Sequence, residues 1–177
     1  RGIQPDIEVE TPFMSTLLQR LLDEFEVFHY ATQVAAGLDS TDVPDPVSYA
    51  LTASDWAGFL SSLETAEFEY DTESMVVLEE LQKVVGLEQY QGVAEESLAQ
   101  LRQALQPNLE RDLGLFEEEI RQTLEGEVVL RFHYAAGLVE RSLTQDPTVG
   151  RALSVFGEEL SGILGQAADT ESAPSRE

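Results

Sequence analysis

Leu109-Glu-Arg-Asp-Leu113-Gly-Leu-Phe116-Glu-Glu-Glu-Ile120-Arg-Gln-Thr-Leu124-Glu-Gly-Glu-Val128-Val-Leu-Arg-Phe132-His-Tyr-Ala135-Ala-Gly-Leu-Val139 places an apolar residue at every third or fourth position. That is the period of a helix with one buried face. The spacing predicts a single helix of about 35 residues, roughly 50 Å long at about 1.5 Å per residue. Gly114, Gly126 and Gly137 are its weak points, since glycine lacks the side chain that restrains helical backbone.

Working outward, Asp146-Pro147 reads as a cap with proline in the first turn, opening a last helix with Val149, Leu153, Phe156, Leu160 and Ile163 inward. Beyond Gly165 the residues are polar and aperiodic, and residues 165–177 are expected to be a disordered tail. Upstream, Val93, Ala94, Leu98, Leu101 and Leu105 form one helical face that Pro107 interrupts, and another helix is expected from Asp71 to Gly86. Thr52 and Asp55 have the spacing of a capping box for a helix bearing Trp56, Phe59, Leu60 and Leu63. Asp39-Ser-Thr-Asp-Val-Pro-Asp-Pro46 must be a loop, having two prolines and several turn formers. Thr11-Pro12 reads as the start of a first helix reaching Ala36, with Phe13, Leu17, Leu21, Phe25 and Phe28 on one face.

Helices thus account for almost everything after residue 11. Only Gly2-Ile-Gln-Pro-Asp-Ile-Glu-Val9 alternates as a half-buried strand would, and no second strand follows to pair with it. The expected fold is mostly α, a multi-helix bundle-like domain at residues 11–164, with a leftover N-terminal β-strand at residues 1–10 and the tail.

Composition narrows the function. With 34 Asp plus Glu against 10 Lys plus Arg, the 177-residue chain carries a net charge of −24. Such a surface repels phosphates and anionic headgroups, so direct binding to nucleic acid or acidic lipid is excluded. The acids are spread along the chain, as on a solvated surface whose repulsion salt screens. The absence of cysteine removes disulfides, thiolate metal sites and cysteine nucleophiles. No apolar run approaches a membrane span.

Three patterns invite chemistry, and none sustains it. Glu26-Val-Phe-His29 is a Glu-x-x-His, half of a di-iron carboxylate site, but the other histidine, His133, has Leu130 where the second glutamate should stand. Both histidines are expected to pack with their polar tips satisfied. Asp39, Asp42 and Asp45 lack the glycine and terminal glutamate of a calcium loop, so turn chemistry is expected. Phe28-His-Tyr-Ala31 recurs as Phe132-His-Tyr-Ala135, yet the flanks align with no sustained period, which favours coincidence over duplication.

The segment Gly2–Val9 resembles the G-[IV]-x-P-D-[IV]-x-V stretch that closes the protease domain of the C-terminal processing peptidases, or tail-specific proteases. Asp55-Trp56 followed by Phe59-Leu60, the run Arg131-Phe-His-Tyr-Ala-Ala-Gly137, and Asp146 with Val149 and Ala152 resemble the helical C-terminal extension of some members. The resemblance implies a parent with a PDZ module, a Ser-Lys dyad, no cofactor, and cleavage of proteins near their C-termini in the periplasm or cell envelope. It also implies that residues 1–10 end an upstream protease domain, which would be the main partner of the helices, with self-association or a protein adaptor as further roles.

The dyad needs a lysine, and Lys83 is the chain's only one. It stands four residues after Glu79, the spacing of an ordinary surface pair, and no serine lies in the family's nucleophile context. The expectation is therefore a non-catalytic domain with no catalytic, cofactor or metal residue, serving assembly, substrate access or adaptor docking. A free-standing acidic helical interaction module is the alternative reading.

Overall fold

The computed structural model describes residues 7–10, 13–158 and 160. Among them are eight α-helices and no strand: α1 Thr16–Asp23, α2 Glu26–Ala36, α3 Ala53–Thr65, α4 Glu73–Leu87, α5 Gln91–Leu105, α6 Leu109–Leu115, α7 Glu117–Gln145 and α8 Pro147–Glu158. The mostly α fold class holds.

The expected N-terminal strand is not seen at its described end. Ile7–Glu10 has no regular structure, because no other described segment offers a ladder for its backbone groups. Its remaining residues, the Thr11-Pro12 cap and the expected tail lie outside the described residues.

Local chemistry sets most helix starts. Ser15 Oγ accepts from Leu18 N at 3.1 Å and opens α1, and Asn108 Oδ1 accepts from Arg111 N at 2.8 Å at the start of α6. The capping box of α3 is complete, with Asp55 N donating to Thr52 Oγ1 and Thr52 N to Asp55 Oδ2. Asp146 Oδ1 accepts from Thr148 N at 2.7 Å, as the Asp-Pro pair predicts. Each such cap satisfies a first-turn amide that has no partner within its helix.

Two of the long helices anticipated from periodicity are broken. The first divides at Phe25, whose φ of 62° is left-handed, so α1 and α2 meet at an angle instead of sharing one face. Leu17 and Leu21 remain in the core while Phe13, Phe25 and Phe28 face solvent. The second break is larger. Phe116 separates α6 from α7, and α7 folds back at Tyr134, at φ 57° and ψ −164°.

Along a straight helix residues 125 and 141 would stand about 24 Å apart. Here the Arg141 guanidinium donates to the Glu125 carboxylate, so the two arms of α7 bend toward each other at Tyr134. None of the three glycines marks a break. Gly137 instead permits the fold-back, since a Cβ there would overlap His133 and approach Pro46 Cβ to 3.2 Å.

The core gathers α1, α2, α3, α6 and the first arm of α7, with α2 lying along α7. Phe59, Leu63, Ile120, Leu124 and Val128 are fully enclosed. The α4–α5 hairpin pairs chiefly with itself: Leu78 is the sole fully buried residue of α4, and α5 has none. The last helix is corrected too, because Leu153 and Phe156 of α8 are exposed, with no described segment covering that face.

Candidate functional site

Arginines on α7 organise the polar interior. Arg141 Nη1 donates to the carbonyls of Pro46 (3.1 Å), Val47 (3.4 Å) and Tyr49 (2.7 Å). Glu125 answers by accepting from Leu51 N at 2.9 Å while it pairs with Arg141. Loop carbonyls without strand or helix partners need such donors when buried. Arg141 Nε is left without a hydrogen bond.

Arg121 rests over the Trp56 ring at 4.8 Å and reaches Leu51 O, and Arg131 rests over Phe28 while donating to Phe28 O and Thr32 Oγ1. His133 Nε2 sits 2.7 Å from Val43 O. These groups hold the loop between α2 and α3 and the helices beside it. Sequence reasoning missed Arg121 and Arg141. The available signal was scarcity: in so acidic a chain, a base inside an apolar helical pattern is a strong candidate for an internal staple.

A second cluster joins α6 to the segment before α4. Burial alone would raise the Asp112 carboxyl, but bonds from Arg111, Tyr70 and the Asn108 amide outweigh it and hold the group below the usual carboxylate range. Its partner Tyr70 shifts upward, first through burial and then through its hydrogen bond to Asp112. Burial, with the charges of Asp55 and Glu125, pushes Tyr49 up to about 12.

The sign of the pH effect follows. Above pH about 10 the unfolded chain ionises these tyrosines while the folded chain keeps them neutral, so the folded state binds more protons and stability falls as pH rises. Tyr70→Phe should lose about 1–3 kcal/mol near neutrality with the bond to Asp112. It should also show a shallower fall between pH about 10 and about 12, read from denaturant melts at each pH.

The residues singled out by sequence play structural parts. Asp39 Oδ1 accepts from Thr41 N at 2.7 Å, Asp42 Oδ2 from Asp39 N at 2.8 Å and Asp45 Oδ2 from Ser48 N at 2.8 Å, the turn chemistry expected of them. Contrary to expectation, His29 is exposed on α2, with its ring against the edges of Phe25 and Phe28. Glu79 faces Arg102 across the α4–α5 hairpin at 3.5 Å, not the expected Lys83, because the hairpin brings a guanidinium within reach of it. The two Phe-His-Tyr-Ala runs differ in conformation: Tyr30 is buried in a regular helix, while Tyr134 is the exposed fold of α7. Among the described residues no group of three or more His, Asp or Glu side chains could hold a metal ion.

Among the described residues, two surfaces stand out as open to partners. On α4, Val77, Leu81 and Val84 recur at four- and three-residue steps and are exposed, beside the Leu78 face that packs. Leu87 and Val93 extend apolar surface around the hairpin tip. The other is a cleft of about 300 Å³, floored by Trp56, Leu60, Leu109 and Leu113 and rimmed by Glu64, Glu110 and Glu117. Neither surface brings together a nucleophile and a base. No helix among the described residues is long and apolar enough to cross a membrane.

A protein-family model described as "Probable PDZ-protease, C-terminal helical domain" matches residues 17–156. Neither a curated protein nor a solved structure matches the chain.

Proposed function

Because the chain belongs to the family of C-terminal helical domains of probable PDZ-proteases, we propose that it is the non-catalytic, protein-docking part of a tail-specific serine endopeptidase. The observation that carries the docking role is the bare apolar face of α4, Val77, Leu81 and Val84, on a hairpin that contributes little to the core. A contiguous apolar face rimmed by charge costs solubility unless a protein covers it. Cleavage would fall to a Ser-Lys dyad in the parent's protease domain, since Lys83 lies on the docking hairpin with no serine in a nucleophile setting. The helices would guide assembly, substrate access or an adaptor, in the periplasm or cell envelope.

In the intact protease, Leu81→Asp with Val84→Asp should slow cleavage of protein substrates and leave cleavage of a short peptide unchanged. Equal rates on protein substrates would remove the docking role. The chain by itself should not cleave unstructured polypeptides, and cleavage that survives Lys83→Ala would place a catalytic apparatus within these helices.

A further inference from the structure

The fold-back of α7 is a turn without turn residues. No proline, asparagine, aspartate or glycine stands at the corner; Tyr134 occupies it, at φ 57° and ψ −164°, in a region of backbone space that is almost exclusively glycine's. The flanking residues, Leu130-Arg-Phe-His-Tyr-Ala-Ala136, carry the helical pattern straight through. Local sequence thus favours a continuous helix, while the packed arm holds the corner closed.

What holds it closed is a set of contacts between the arms and the loop: Arg141 with Glu125 and the 46–49 carbonyls, Leu138 against Gly126, and Gly137 against Pro46. A second copy of the chain can make every one of these, because the surfaces that receive the arm are identical in each copy. Short hinges under strain favour such exchange.

We propose that two copies of this chain associate by exchanging the arm from residue 135 onward: α7 straightens at Tyr134 and each arm packs on the partner's first arm and loop. The exchange keeps the buried contacts and releases the strained corner twice per dimer. It also predicts opposite effects for two substitutions at the hinge. Gly137→Ala introduces a Cβ that overlaps His133 only in the folded-back form, and it favours the straight helix. Tyr134→Gly suits the corner and weakens the straight helix.

Mass measurement by size-exclusion chromatography with light scattering, over a wide concentration range, should show Gly137→Ala raising the dimer's affinity by about tenfold or more and Tyr134→Gly lowering it by a similar factor. Since the chain has no cysteine, Gly126→Cys with Leu138→Cys reports the connectivity. Oxidised dimer should run as a covalent dimer on a denaturing gel, whereas oxidised monomer closes its own bridge. A dimer whose bridges all lie within one chain is a side-by-side dimer and overturns the exchange. The proposal also falls if the wild-type chain and Gly137→Ala stay monomeric throughout, or if Tyr134→Gly dimerises as well as the wild type. Should Gly137→Ala fail to fold, Tyr134→Gly and the cysteine pair decide the matter on their own.

Discussion

Replacing Arg141 by methionine should destabilise the protein by about 3–5 kcal/mol, the usual cost of removing one member of a buried ion pair. Arg141 is 3% and Glu125 8% exposed, so the carboxylate left behind cannot recover water without opening the fold. The carbonyls of Pro46, Val47 and Tyr49 lose their donor in the same step. Lysine should not rescue the site, since a single ammonium cannot match the planar fork that spans carboxylate and carbonyls.

Adding Glu125→Leu to Arg141→Met should cost less than the two single changes summed, because the stranded charge disappears. Denaturant melts give the energies, and hydrogen exchange should show residues 46–51 opening first. A loss below about 1 kcal/mol for Arg141→Met would mean that the latch does not hold the loop.

Phe59→Ala should be as severe, at about 3–5 kcal/mol. The ring is 0% exposed and lies against Tyr30 and Trp56, at centroid distances of 5.3 and 5.6 Å, so its removal leaves a cavity where α2 and α3 meet. Val93→Ala on α5 should change stability by no more than about 0.5 kcal/mol, because the side chain is 85% exposed. The contrast separates the packed body from the α4–α5 hairpin. Comparable losses at both sites would mean that the hairpin belongs to the cooperative core after all.

Much of this was legible in the residues alone. The three-and-four spacing, the capping box at Thr52 and Asp55, the Asp146-Pro147 start and the proline-rich 39–46 loop all act over one or two helical turns. The same local reading recovered the core face of α3 and the first arm of α7, and the family resemblance followed from short runs of sequence.

Tertiary structure decided the rest, and for identifiable reasons. Periodicity says that a helix has an apolar face but not whether anything covers it: the faces of α3 and the first arm of α7 are buried, while similar stripes on α4, α5 and α8 stay partly bare. Propensity would carry the backbone straight through Phe25 and Tyr134, and both bend because packing further along the chain outweighs the local cost. Arg141 finds Glu125 sixteen residues away only after that bend, so the ion pair that secures the loop exists in the fold and not in the spacing. The sequence by itself determined which segments are helical; long-range contacts, each strong enough to override a local preference, determined where those helices turn and which faces remain available to a partner.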